Sequence, residues 1–286
     1  MTLVELPPWS RHAGLEARSD RWTAVAARTL SGASSLRVTA TYALMLLAIS
    51  LTLTAMGPHA RAAAVSRMST NLHNLARGHV GTLVGSAFVD ESDDILCWLP
   101  GLVCLLALGE IIWRGRGLVI TFAVGHIGAT LIVAVGLVAA VKTGALPSSV
   151  ARASDVGMSY GAVCVLGALT ASIPARWRPV WVGWWLGIAA PATLAANFTA
   201  AGHTLALLLG MGLSFRLRSM TRWTPLRISL LVVGVAFGFL VLSGQTLVAP
   251  LWGVAGALVA YLVGRVAVSS EPHRPDPIAG GNGRAS

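Results

Sequence analysis

Apolar residues gather in eight runs along the chain, separated by polar segments that are rich in arginine. A helix that crosses a bilayer needs roughly 20 mainly apolar residues, so each run is a candidate transmembrane helix. The pattern predicts an all-α fold, a polytopic integral membrane helical bundle. The runs cover about residues 39–57, 95–113, 118–141, 156–173, a fifth run that ends near 197, 200–215, 228–242 and 249–266.

The polar segments between the runs differ in character. Residues 1–38 carry five arginines and are predicted to form a basic cytoplasmic arm. Residues 58–93 form a long outer loop in which apolar residues recur at roughly helical spacing, so part of it is expected to lie in the membrane surface. Residues 268–286 are rich in proline and glycine and are predicted to form a disordered cytoplasmic tail.

The composition supports a membrane protein. Hydrophobic residues make up 55% of the chain and charged residues only 11%, and the mean hydropathy is +0.71. A soluble domain carries about 25% charged residues. The three cysteines all lie in apolar runs, which favours buried unpaired thiols over a disulfide framework or a metal site. We therefore expect neither a metal nor a cofactor.

The net charge of +10 comes almost wholly from arginine, since Lys142 is the only lysine. The arginines cluster beside apolar runs, so they indicate membrane topology and no nucleic-acid partner is expected. Clusters precede the first run and follow the second, fourth, sixth and eighth runs. The positive-inside rule then places both termini in the cytoplasm. The bias toward arginine and alanine is typical of a high-GC bacterium, so we expect a multi-pass protein of the bacterial plasma membrane.

Two polar residues in the apolar runs are candidates for chemistry. Ser159 lies between Gly157 and Gly161, and with a rise of about 1.5 Å per residue it is roughly 5 Å below the outer end of the fourth run. His203 is predicted at the same depth in the sixth run, ahead of a ridge of small residues formed by Ala206, Gly210 and Ser214. A histidine that takes the proton of a serine hydroxyl makes that serine a nucleophile.

Structural interpretations of these residues stay open beside the chemical one. A serine in a membrane helix often bonds to a carbonyl one turn back, and paired glycines favour close helix packing. His203 itself has a structural alternative, a satisfied hydrogen bond within the bundle. His126 is deeper in the third run and is expected to be structural. Glu110 is expected to pair with Arg114 one turn later.

The order of these motifs resembles the rhomboid intramembrane proteases. Gly157-Met158-Ser159 and the ridge after His203 are similar to the nucleophile and base motifs of that family. The segment 82–88 and Leu108-Gly109-Glu110, with Gly115 after it, are similar to the family's second span. The resemblance covers about residues 39–217. It implies a six-span core, to which residues 218–267 add two transmembrane helices.

The resemblance also implies a function. Ser159 and His203 would form a catalytic dyad that cleaves single-span membrane proteins near the outer leaflet. Gly157, Gly161, Ala206 and Gly210 would support the oxyanion and the packing around the dyad. Pro191 would help the fifth span to move, so that a substrate enters from the side. The implied partners are the lipid bilayer and transmembrane helices, as substrates or as clients.

The chain departs from the family at two places. Rhomboids carry a His and an Asn at the outer end of the second span to hold the oxyanion, whereas residues 94–98 read Asp-Ile-Leu-Cys-Trp. Losing one oxyanion donor costs about 10²–10³ in rate. Tyr160 also stands where the family has a glycine after the serine. Three hypotheses follow: a protease, an inactive relative that binds membrane helices, and a small transporter, which the lack of an inverted repeat disfavours.

Overall fold

The fold was analysed in a computed structural model, which describes residues 36–90, 94–152, 158–194, 198–217, 219, 222–244 and 246–269. Almost all of these residues are helical. The helices are α1 (Arg37–Met56), α2 (Pro58–Met68), α3 (Leu72–Ala76), α4 (Thr82–Gly85), α5 (Ile95–Ala123), α6 (Ala129–Lys142), α7 (Ser159–Ala168), α8 (Arg178–Leu194), α9 (Phe198–Leu213), α10 (Pro225–Ser243) and α11 (Ala249–Ser269).

One continuous run, Ile95–Lys142, contains both the second and the third predicted spans. It breaks at Arg114, whose backbone angles (φ 62°, ψ 172°) are not helical. Only glycine adopts this region without strain, so the backbone at Arg114 is strained where the helix breaks. A π-helical turn at Val124–Gly128 then joins α5 to α6. The break lets the two halves pack as separate helices.

A carboxyl group from α5 caps the first helix. Glu110 is 3% exposed, and its oxygens accept hydrogen bonds from the backbone N–H groups of Val38 at 3.0 Å and Thr39 at 2.8 Å. The Thr39 hydroxyl donates a third at 2.7 Å. The first amides of a helix have no partner within it, so Glu110 satisfies two of them. The expected pairing of Glu110 with Arg114 is wrong, because the carboxyl group is committed to α1.

Helix α7 lies at the centre of the bundle, and every residue from Tyr160 to Ala168 is buried. It contacts α5, α9 and α10, as well as the π-helical turn. A helix that is surrounded on all sides needs apolar or small residues all round. The sequence of α7 is of that kind, since Ser159 is its only residue with an aliphatic hydroxyl.

The two C-terminal helices are part of the bundle. Helix α10 packs on α5, with the Phe237 side chain against Gly101 and Leu105 against Gly234. Helix α11 lies along α8, where Gly183 and Gly256 bring the two backbones together. Within a bilayer, such small-residue contacts are what hold helices together.

The predicted fold class is confirmed, since the described residues form an all-α bundle consistent with a polytopic membrane protein, while the division into a six-span core and two added transmembrane helices stays a prediction. Four helical segments are long and apolar enough to cross a membrane: Arg37–Met56, Ile95–Lys142, Pro225–Ser243 and Ala249–Val266. Shorter apolar helices at Ser159–Ser172 and Phe198–Leu213 fill the interior. The predicted arm, most of the tail and Gly157 lie outside the described residues.

The hinge at Arg114 gives a testable prediction. Arg114→Gly should leave stability unchanged or raise it, because glycine adopts this backbone conformation freely. Arg116→Gly removes the same charge two residues later within regular helix, so it should lower stability by about 1 kcal/mol. Unfolding of both variants in detergent micelles measures the difference. Equal destabilisation by the two substitutions would contradict the hinge.

Candidate functional site

Ser159 is the first residue of α7 and is partly buried. Among the described residues, nothing forms a hydrogen bond with its hydroxyl group. Its neighbour Gly161 lies against the ring of Phe122, so close that an added Cβ would stand 2.6 Å from three ring carbons. Gly157, the other flanking glycine, falls outside the described residues.

Helices α7 and α9 approach each other backbone to backbone. An added Cβ at Gly210 would collide with the Cys164 carbonyl oxygen and stand 2.9 Å from the Ala168 nitrogen. Gly167 faces the backbone of Leu207 in the same way. Ala206, one turn before Gly210, is wholly buried. The small-residue ridge after His203 thus lies against α7, which brings His203 close to the start of that helix.

The imidazole of His203 lies against Tyr160. The two rings meet edge to face, with centroids 5.1 Å apart and an interplanar angle of 81°. Such aromatic contacts stabilise a packed pair by about 0.5–1.5 kcal/mol. Gly202 lies against the same tyrosine ring, which leaves no room for a side chain there. Tyr160 is itself 3% exposed, whereas His203 is half-buried.

The Nε2 atom of His203 is buried and has no hydrogen-bond partner among the described residues. A buried polar atom without a partner costs about 1–3 kcal/mol. A general base must lie within hydrogen-bond reach of the proton that it takes. The structure brings His203 to Tyr160, the residue after Ser159, and no hydrogen bond joins His203 to Ser159. The Ser159–His203 dyad therefore stays a prediction.

Hydroxyl groups connect α8 and α9 near this site. The Thr193 and Thr204 hydroxyl oxygens are 2.7 Å apart, and either can be the donor. Each hydroxyl also lies near a carbonyl one turn back in its own helix, Ala189 at 2.9 Å from Thr193 and Ala200 at 3.0 Å from Thr204, so the two protons are shared among three acceptors. These bonds lie within about one turn of His203 and fix the two helices to each other.

A serine–histidine contact that the sequence did not predict joins the outer loop to the π-helical turn. The Ser86 Oγ and His126 Nε2 atoms are 3.1 Å apart, and the Thr70 hydroxyl lies 2.8 Å from Ser86 Oγ. His126 was expected to be structural, but its partner is 40 residues away in the outer loop. In the segment 82–88 only Thr82 and Ser86 have polar side chains, so no local pattern marks the contact. His126 and Ser86 are 5% and 1% exposed, so the contact anchors the loop to the π-helical turn.

Residues 94–98, at the start of α5, include neither histidine nor asparagine. The helix begins at Ile95 and continues through Leu96, Cys97 and Trp98. Within the described ranges, no group of three His, Cys, Asp or Glu side chains is placed to hold a metal ion. Within the described residues, the site brings together the Ser159 hydroxyl, the His203 imidazole and the Tyr160 side chain.

The comparisons with known proteins give one match. A family model described as "Rhomboid-like protein" matches residues 34–224, which is more than half of the chain. No curated protein and no solved structure matches the chain. The matched range includes α1 to α9, and so both Ser159 and His203.

The close approach of α7 and α9 generates a prediction. Gly210→Ala should lower stability by about 1–3 kcal/mol, because the added methyl group has no space against the Cys164 carbonyl. Gly212→Ala is the matched control on the same helix, since an added Cβ there meets nothing within 4 Å. This control should leave stability unchanged or raise it by up to about 1 kcal/mol. Thermal unfolding in micelles measures both, and a stable Gly210→Ala protein would contradict the contact.

Proposed function

Because the chain belongs to the rhomboid-like protein family, we propose that it binds transmembrane helices of client proteins in the bilayer and does not cleave them. The observation that carries the proposal is the contact between Tyr160 and His203. The imidazole is held against a tyrosine ring, and its Nε2 atom is enclosed without a hydrogen bond. A histidine in this position does not take a proton from Ser159.

The start of α5 supports the same proposal. A tetrahedral intermediate needs donors aimed at its oxyanion, and each donor lost costs about 10²–10³ in rate. Residues 94–98 contain neither histidine nor asparagine. Even a Ser159 that reached His203 would therefore act without the side-chain donors that the family's proteases use.

The packing of α8 supports it as well. Sideways entry of a substrate, which Pro191 was expected to assist, requires α8 to move away from its neighbours. Helix α11 holds α8 along its length, with backbone contacts at Gly183 and at Gly187. Helix α10 also touches α8 and covers the inner part of α5. The two added helices thus restrain the fifth span.

We propose a topology with both termini on the cytoplasmic face of a bacterial plasma membrane. The arginines support it, because Arg114 lies at the break within α5, where the second predicted span ends, and Arg176 and Arg216 follow α7 and α9. The positive-inside rule assigns that face to the cytoplasm. The start of α7, with Ser159, then lies toward the outer leaflet.

A second candidate function is intramembrane proteolysis by a Ser159–His203 dyad, supported by Gly157, Gly161, Ala206 and Gly210. One observation favours it. Ser159 is half-buried, its hydroxyl has no partner among the described residues, and the next residue touches His203. A rotation of α7 that exchanged Tyr160 for Ser159 against the imidazole would assemble the dyad. The packing of α7 on every side opposes such a rotation.

A serine-directed fluorophosphonate probe separates the two candidates. We expect no labelling of the folded protein in bilayers, because His203 does not activate Ser159. Labelling that disappears in both Ser159→Ala and His203→Ala, but persists in Ser229→Ala, would contradict the proposal and establish the protease. Ser229 is the matched control, since it is exposed and bonds only to the Pro225 carbonyl.

Client binding is tested with a panel of single-span membrane proteins from the same genome, each tagged at both ends and co-expressed with the chain. We expect members of the panel to copurify intact, to the same extent with the wild type and with Ser159→Ala. Cleaved products that vanish in Ser159→Ala would favour the protease. Failure of every panel member to copurify would contradict client binding.

A further inference from the structure

A cavity of about 620 Å³ lies where the start of α8 meets the end of α11. Arg176 and Trp177 line it from the short helical turn before α8, and Tyr261 and Arg265 line it from α11. Gly264 and Pro179 bring the two helices together beside it, with an added Cβ on the glycine only 3.6 Å from the proline ring. The cavity is distant from Ser159 and His203, at the opposite end of α7.

The charge of this cavity is positive. Two guanidinium groups line it, its lining within the described residues has no acidic side chain, and the sequence contains neither Asp nor Glu between residues 156 and 270. Arg178 has a different role, since its Nε and Nη2 atoms donate to the carbonyls of Ile173 and Ala171 at 2.9 and 3.0 Å. It closes the end of the preceding helical turn and does not line the cavity, whereas Arg176 and Arg265 do.

The surroundings of the cavity are those of a membrane interface. Trp177 and Tyr261 are 50% and 42% exposed, as aromatic residues are where headgroups meet the hydrocarbon core. The Arg176 guanidinium lies 5.9 Å from the centre of the Trp177 ring. Along α11, Leu258 and Leu262 are exposed toward the lipid. A basic cavity thus opens directly above an apolar, outward-facing helix surface.

We infer that this cavity binds the phosphate headgroup of an anionic phospholipid. Arg176 and Arg265 donate hydrogen bonds to the phosphate oxygens, for which guanidinium groups have matching geometry. The acyl chains lie along the exposed face of α11, beside Leu258 and Leu262. Basic cavities between helices on the cytoplasmic side are the usual receptors for anionic lipid headgroups. The inference does not depend on whether the protein cleaves its clients.

Native mass spectrometry of the full chain in a neutral detergent tests the lipid site, with phosphatidylglycerol and phosphatidylcholine added in turn. We expect one phosphatidylglycerol to bind well ahead of phosphatidylcholine. The double variant Arg176→Gln/Arg265→Gln should bind phosphatidylglycerol about 25-fold more weakly, at about fivefold for each arginine. Arg176→Lys/Arg265→Lys should keep part of the affinity, because it keeps the charge.

Arg216→Gln is the matched control. It removes a positive charge after α9, at the same end of the bundle but outside the cavity, and should leave phosphatidylglycerol binding unchanged. Equal binding of the two lipids by the wild type, or an equal loss in Arg216→Gln and Arg176→Gln, would overturn the inference. Thermal stabilisation by inorganic phosphate, without any by phosphatidylglycerol, would overturn the assignment to a lipid. If the double variant does not fold, the comparison of phosphatidylglycerol with phosphatidylcholine on the wild-type protein still tests the inference.

Discussion

The close contact of α7 with α9 is the constraint on which the rest of the structure depends. Lipid tails are as apolar as leucine, so burial alone does not drive two helices together within a bilayer, and close van der Waals contact must do so. Gly167 and Gly210 remove the side chains that would keep these backbones apart. With the two helices at this distance, the His203 ring lies against Tyr160 in the first turn of α7, with ring centroids 5.1 Å apart.

The same physics explains the two added helices and the buried polar groups. Gly183 and Gly256 make a backbone contact of the same kind between α8 and α11, so the fifth span packs tightly on the last described helix. Because water does not compete inside the bundle, most buried polar groups have partners, as Glu110 does at the start of α1. The enclosed Nε2 of His203 departs from that rule, as do the Trp181 and Trp185 indole nitrogens.

The sequence was enough to predict the helices, because long apolar runs bounded by arginines have few alternatives. It also placed His203 in the helix that packs on α7, from the ridge of small residues after it. The sequence did not predict the partners of Glu110. The nearest cation in sequence is Arg114, but the carboxyl group accepts hydrogen bonds from the amides of Val38 and Thr39, which are 72 and 71 residues away. The contact of Ser86 with His126 was missed for the same reason. The rotation of α7 that points Tyr160 at His203 depends on packing from all sides, which no local pattern records.

The central claim is that His203 packs against Tyr160 and is not hydrogen-bonded to Ser159. Solid-state NMR of the protein in bilayers, with ¹⁵N in the imidazole of His203 and ¹³C in Ser159 and Tyr160, measures both contacts directly. The account predicts strong dipolar contacts from the imidazole to the Tyr160 ring and a Ser159 hydroxyl oxygen beyond hydrogen-bond reach of Nε2. A Ser159 Cβ within about 4 Å of His203 Nε2, the spacing that a serine–histidine hydrogen bond imposes, would contradict it.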